Sequence, residues 1–397
     1  MDLSTLLTRF NEPETLKMAK LGRELRAQGA DITDLSLGEP DFDTPLHIRE
    51  AAKKAIDENY SHYTPVAGYL DLRTAVCTKL QRDNGLAYTP EQIVVSTGAK
   101  QSIANTVLAV VDKGDEVVIP TPYWVTYSEI VKLAGGTVKF VNTTFENSYK
   151  ITPQELEAAL NENTRLFMFS SPCNPTGAYY SKDELRALAD VFIKFPRVYI
   201  MSDEIYEHIN FVGKHESIAQ FDFIKEKVIV INGLSKGWAM TGWRLGYIAA
   251  PAHIAKACDK IQGQFTSGTN AVTQRAAIVA LTGHMQPTYD MVEEFKKRRT
   301  KVMELIKDIP GMVCKEPPAA FYIFPRVDKL FNTKAPDGTV IKDADDLCMY
   351  LLHVAHVSVV TGKAFGEPRC IRISFANSME NIEKGFEKIR FALGQLK

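Results

Sequence analysis

The sequence predicts an α/β fold: a mostly parallel seven-stranded sheet in a large unit, joined to a smaller α+β unit. Three observations lead there. Seven short apolar, β-branched runs lie between residues 92 and 249, and their unbroken apolarity suits strands buried on both faces. Helical patterns with start signals separate those runs. After about residue 285 the alternation stops, and a long charged amphipathic pattern leads into shorter, mixed elements.

In chain order, Pro13–Gln28 reads as a helix and Ile32–Leu35 as a short strand. The first 45 residues have no core of their own and are expected to pack on the C-terminal unit. The seven runs are Gln92–Ser96, Glu116–Ile119, Val138–Val141, Leu166–Phe169, Val198–Met201, Val228–Ile231 and Gly246–Ala249. Thr152-Pro153-Gln154-Glu155 combines a capping Thr, Pro at the first helical position and Glu at the third, and Ser181-Lys182-Asp183-Glu184 is a second capping box. Thr288–Ile309 is predicted as one long helix. Strands are expected at Ala320–Phe324, Val357–Val360 and Ile371–Phe375, and helices over Asp343–His356 and Ser378–Leu396. The predicted division is a large domain at 46–285 and a small one made of 1–45 and 286–397. In sheets of this kind ligands bind beyond the carboxyl ends of the strands, so the polar residues just after the runs are the ones to read.

Composition narrows the function. With 47 basic and 48 acidic residues the net charge is -1, which offers no footprint for nucleic acid or an anionic membrane. Cys77, Cys173, Cys258, Cys314, Cys348 and Cys370 stand singly, with no CxxC spacing, and read as small buried hydrophobes in a reducing compartment. The N-terminus lacks the charged and apolar regions of a signal peptide, and no run approaches the roughly 18 apolar residues of a membrane span. A soluble, cytoplasmic small-molecule protein is expected, with no metal.

Four motifs follow the runs. Lys236, in Asn232-Gly-Leu-Ser-Lys236, lies just past Val228–Ile231; it is either a nucleophilic amine with a lowered pKa or a solvated surface lysine. Asp203 follows Val198–Met201; a carboxylate there needs a cation, such as a protonated pyridine nitrogen, or else caps a helix. Asn174 sits in Ser170-Ser-Pro-Cys-Asn174-Pro-Thr-Gly177, a loop stiffened by two prolines, where it either presents a donor and an acceptor at a fixed point or forms an ordinary Asn-Pro turn. Thr97-Gly98-Ala99-Lys100 opens a helix whose free N–H groups suit a phosphate. Gly233-Leu-Ser235-Lys-Gly237 also fits the GxSxG elbow of serine hydrolases, but the residues after Ser235 read poorly as the helix an elbow requires. His215-Glu216 lacks the second histidine of a zinc protease motif, and there is no GxGxxG or Walker A sequence.

Taken together, these residues resemble the fold-type I, pyridoxal 5'-phosphate (PLP) dependent aminotransferases of class I/II, and among them the bacterial subgroup-Iγ aspartate aminotransferases. The resemblance spans nearly the whole chain. Its motifs stand in family order: Leu37-Gly38-Glu39-Pro40-Asp41-Phe42, Tyr63-Thr-Pro-Val-Ala-Gly68, Pro122-Tyr-Trp124, Asn174-Pro-Thr-Gly177, Ser202-Asp-Glu-Ile-Tyr206, Ser235-Lys236 with Arg244, and Arg372-Ile-Ser-Phe375.

The resemblance implies a role for each position. Lys236 bonds PLP and then moves the substrate proton. Asp203 pairs with the pyridinium nitrogen, Asn174 and Tyr206 hold the ring 3'-oxygen, and Trp124 stacks on the ring. Gly98, Ala99, Lys100, Ser235 and Arg244 surround the phosphate. Tyr63 reaches the phosphate of a neighbouring subunit, which makes the enzyme a homodimer. Arg372 clamps the substrate α-carboxylate, with Gly38 beside it, and Trp124 and Asn174 also face the substrate. Lys100 either grips a distal carboxylate, with Thr15 as a second contact, or contributes only its backbone.

The resemblance thus implies an aminotransferase moving an amino group from aspartate to 2-oxoglutarate. Aromatic, alanine and prephenate aminotransferases are same-fold alternatives; a C–S lyase, a serine hydrolase using Ser235 and a noncatalytic relative are remote ones. Two positions depart from the family pattern: Gly233 replaces a phosphate-contacting serine, and Thr361 replaces a turn proline, which should loosen that turn. The cationic residues assigned to the pocket would be concealed by the balanced total charge.

Overall fold

The computed structural model describes residues 3–12 and 14–397, without the side chains of residues 14–17 and 19. The seven runs form one sheet of strands β1 (Ile93–Ser96), β2 (Glu116–Thr121), β3 (Thr137–Asn142), β4 (Thr164–Ser170), β5 (Tyr199–Asp203), β6 (Val228–Gly233) and β7 (Gly246–Ala249). Their spatial order is β1-β7-β6-β5-β4-β2-β3, and β7 alone runs antiparallel to its neighbours. Alternate residues serve two cores. Phe167 and Phe169 of β4 pack on one face, Leu166 and Met168 on the other. The expectation of burial on both faces fails at β3. It pairs only with β2, at the end of the sheet, and Phe140 remains exposed.

Both predicted capping boxes form. Thr152 accepts from Glu155 N–H ahead of the helix Pro153–Ala159, and Ser181 accepts from Glu184 N–H ahead of Lys182–Val191. The long helix is Gln286–Lys307. Past it, Ile371–Ser374 lies between Val360–Thr361 and Tyr322–Ile323 in an antiparallel sheet. The single strand expected at Val357–Val360 divides in two. Val357–Ser358 pairs in parallel with Thr33–Asp34, and the chain then changes partner at Val359 so that Val360–Thr361 joins Ile371–Ser374. Met18, Ile32 and Leu35 share a core with Phe295, Phe321, Phe375 and Phe386, so the N-terminal segment packs on the C-terminal elements.

Among the described residues, no helix is long and apolar enough to cross a membrane, and no cluster of three or more His, Cys, Asp or Glu could hold a metal ion. All six cysteines are free.

Candidate active site

Strand order assembles the site from distant parts of the chain. β4 and β5 end level, with Ser170 opposite Asp203. The β6–β7 connection, residues 234–245, carries Ser235, Lys236 and Arg244, and its ends are pinned by the Gly233–Gly246 pair. β7 also pairs with β1, Ser96 opposite Gly246, which brings Ala99 against Gly246 and Gly98 beside Arg244. The small antiparallel sheet contributes Arg372 and, on the adjoining strand, Tyr322.

A cavity of about 420 Å³ opens where these segments meet. Gly38, Ala99, Lys100, Trp124, Asn174, Asp203, Tyr206, Ser235, Lys236, Arg244 and Arg372 all line it. Gly98 stands just behind, at φ 83°, ahead of the helix Ala99–Val110 with no side-chain cap on its first turn. A Cβ there would lie 2.5 Å from Arg244 Nη2, so glycine is what leaves the guanidinium its place. Tyr63 is not in the cavity; it is 98% exposed on the surface of the chain. The side chain of Thr15 lies outside the described residues.

Lys236 Nζ donates to Gly38 O and faces the Tyr206 and Phe321 rings at 5.7 and 5.8 Å. Burial lowers its pKa to about 8; Arg372 and Arg244 add to the shift, while Glu39 and Asp203 oppose it. Asp203 is buried, and burial raises its pKa to about 6 against the hydrogen bonds from Tyr127 O–H, at 2.6 Å, and Ile205 N–H, at 3.3 Å. These bonds, in a stretch that forms turns rather than a helix, replace the helix-cap reading of Asp203.

Arg372 donates to Asn174 Oδ1 at 3.0 Å and to Ser36 O at 2.6 Å. Its guanidinium lies between the Tyr322 and Phe365 rings, 4.6 and 5.0 Å from their centres. Its Nε is buried without a partner among the described residues, and burial lowers its pKa. Tyr206 O–H and Tyr322 O–H meet at 2.8 Å. Lys100 stands at the cavity mouth with Nζ 5.0 Å from the centre of the Trp124 ring; desolvation and the charge of Arg244 lower its pKa.

Tyr127 and Tyr322 line the cavity and are absent from the sequence-derived site. The spacing Trp124-x-x-Tyr127 at a helix start is the one signal for the first; Tyr322 reads as an ordinary strand aromatic. Both departures from the family pattern have a packing reason. A side chain on Gly233 would strike Gly246 Cα and Leu245 O at 2.8 Å. The Thr361 hydroxyl accepts from Lys363 N–H and caps the turn Gly362–Phe365, so a hydrogen bond takes over the stiffening expected to be lost with proline. After Ser235 the chain forms turns, not the helix of a hydrolase elbow.

The profile of the family "Aminotransferase class I and II" matches residues 30–389. The chain is 42% identical over 402 residues to the probable aspartate/prephenate aminotransferase of Rhizobium leguminosarum bv. phaseoli, covering 100% of this chain and 99% of that protein. It is 39% identical over 392 residues to the aspartate aminotransferase of Bacillus subtilis (strain 168), covering 98% of each. The crystal structure of the Rhizobium meliloti aspartate aminotransferase superposes with a TM-score of 0.97 at 37% identity, covering 100% of both chains. The Thermus thermophilus aspartate aminotransferase with maleate does so at 0.92 and 36%, covering 99% of this chain and 100% of that one. A lysine, a buried carboxylate and two arginines held around one cavity thus come with full-length likeness in sequence and in fold, and the chain belongs to the class I and II aminotransferases, a PLP-dependent family.

Proposed function

We propose that the enzyme takes the amino group of aspartate and passes it to 2-oxoglutarate in a ping-pong cycle, as a homodimer whose subunits share their sites. The observation that carries the substrate reading is a pair of cations in one cavity: Arg372, and Lys100 at its mouth, which has no carboxylate partner among the described residues. Two cations suit a substrate with two carboxylates, since an ammonium facing an apolar side chain would lose solvation without gaining a partner.

The residues fit PLP. The capless first turn after Gly98, the hydroxyl of Ser235 and the fork of Arg244 make an anion cradle. Asp203 supplies a buried carboxylate, Trp124 an aromatic plate and Lys236 an amine. PLP, when bound, draws electron density from the Cα of the amino acid and carries the amino group between the half-reactions.

Each side chain then has a task. Asp203, whose Oδ2 is fixed by Tyr127, would keep a proton on the pyridine nitrogen. Asn174 and Tyr206 hold the ring oxygen. Lys236 Nζ would anchor the cofactor and is the amine placed to accept a proton there. Burial holds that amine below the ordinary lysine range, which favours its neutral, proton-accepting form. Arg372 receives the α-carboxylate. Its partners Asn174 and Ser36 orient the planar fork, and the flanking rings keep water from it.

The small domain, 1–45 with 286–397, closes over the substrate and excludes water. Identical solution scattering with and without a dicarboxylate inhibitor would contradict that motion. Prephenate is the second reading for the acceptor, because the R. leguminosarum relative carries that name.

A visible-spectrum titration with a panel of amino acids tests the proposal. Aspartate should convert the PLP absorbance to that of the amino form, and 2-oxoglutarate should restore it. Conversion by alanine or an aromatic donor in place of aspartate would refute the donor assignment. Restoration by prephenate and not by 2-oxoglutarate would favour the second reading.

A further inference from the structure

Behind the site, on the side away from the cavity, lies a buried polar ring that the reaction does not use. Lys79 ends the helix Leu70–Lys79, and Leu80–Asn84 continues it as a wide π turn. Such turns re-aim side chains and are frequent at functional sites. Here the turn brings Asn84 back over Lys79. Lys79 Nζ donates to Asn84 Oδ1 at 2.9 Å and to Glu207 Oε1, and Asn84 Nδ2 donates to Glu207 Oε2 at 2.8 Å. Lys79 is fully buried and Glu207 is 5% exposed.

Two routes lead from this ring to the site. Glu207 adjoins Tyr206 in a turn closed by Glu207 N–H to Glu204 O and Ile209 N–H to Tyr206 O, so anchoring one residue sets the other. His208 Nε2 lies 3.2 Å from Glu207 Oε1, and its ring stands edge-on to Trp238 at 4.8 Å. The same ring closes against Gly237: a Cβ on that glycine would lie 2.7 Å from His208 Cδ2. Gly237 and Trp238 directly follow Lys236. From the other side, Thr288 of the long helix donates to Gly237 O at 2.7 Å.

We propose that Glu207, held by Lys79 and Asn84, is a positioning residue that sets both the Tyr206 hydroxyl and, through His208, the turn that carries Lys236. An ion pair hidden this deeply stabilises little in itself, because desolvation offsets the attraction; its contribution is a fixed geometry. The inference rests on the PLP reading of Lys236.

The test uses full-length PLP-loaded enzyme with Glu207→Gln and with the double variant Lys79→Met/Glu207→Gln. The single variant leaves a buried ammonium with only Asn84 Oδ1 and the Asp83 carboxylate 4.0 Å away, and should lower the melting temperature. The double removes both charges and should recover it. If the pair only supports the fold, the double regains wild-type kcat as well.

If Glu207 positions the site, the double keeps a kcat reduced by about tenfold or more, with KM for aspartate changed less than about threefold. The pH midpoint of its visible absorbance should also move, by about half a pH unit or more, although the net charge is unchanged. Wild-type kcat and midpoint in the recovered double would overturn the proposal. If neither variant folds, Asn84→Ala keeps the ion pair, removes the brace and is read the same way, with wild-type kcat and midpoint again overturning it. A wild-type protein with no PLP absorbance would refute the functional reading itself, a result distinct from a loaded wild type whose variants behave identically.

Discussion

Tyr127 donates its phenolic hydrogen to Asp203 Oδ2 at 2.6 Å, and both side chains are buried. A hydrogen bond to a charged group is worth about 1.5–3 kcal/mol. It opposes the burial that lifts the Asp203 pKa. Tyr127→Phe removes that opposition, so the carboxyl rises further and loses its charge at a higher pH. The acid limb of kcat/KM should move upward by about one pH unit, with a loss of about twofold at pH 7 that approaches tenfold near pH 5. An unchanged limb would leave Tyr127 a packing residue.

The burial that lowers the Lys236 pKa favours its chemistry and costs the fold stability. Its ammonium is held down to about 8 from an ordinary 10.5. Below pH 8 the folded state carries the full penalty of a disfavoured charge, and the penalty lifts as pH rises from 8 toward 10.5. Protein stripped of PLP should therefore gain stability at pH 7 on Lys236→Met. The expected gain is about 1–2 kcal/mol, discounted because the ammonium faces the cavity and bonds Gly38 O. Urea unfolding at pH 7 and at pH 10 measures it. The gain should shrink at the higher pH; a loss at pH 7 would show that the Gly38 bond outweighs desolvation.

Lys100→Ala separates the two readings of that residue. Removing a cation that meets a distal carboxylate should cost aspartate about 10- to 100-fold in kcat/KM and leave alanine within about threefold. No loss for either donor would mean that Lys100 serves only through its backbone, and equal losses would mean that its ammonium acts without regard to the distal carboxylate.

Tyr63 is out of reach of its own cavity, so its assigned role requires a second copy of the chain. Tyr63→Ala and Lys236→Ala, mixed and reassociated, should form hybrid dimers in which one site carries both substitutions and the other neither. Activity should rise above that of either variant alone, toward about half of wild type per hybrid dimer. No recovery in hybrids proven by mass would remove Tyr63 from the shared site.

The sequence disclosed those parts of the site that lie just past strands. Asp203, Asn174, Gly98 and Lys236 follow apolar runs whose ends turn residues mark, and parallel sheets gather ligands at that edge. Tyr127 and Tyr322 were illegible for the opposite reason: a buried tyrosine in a helix or strand looks like core until its hydroxyl's partner is known. The break at Val359 was hidden because pairing with Thr33–Asp34 is decided by a segment more than 300 residues away. The Lys79–Glu207 pair spans 128 residues, and nothing local in either segment announces the other.

The glycines at the two ends of the β6–β7 connection divide the cavity into a conservative side and an adaptable one. Neither Gly233 nor Gly246 has room for a single added carbon, and Gly98 is crowded by Arg244. At these three glycines the cavity wall thus has no room for side-chain growth. Lys100 and Trp124, partly open at the mouth, carry no such restriction. Side chains at the mouth can therefore change size without pressing on the connection that carries Lys236.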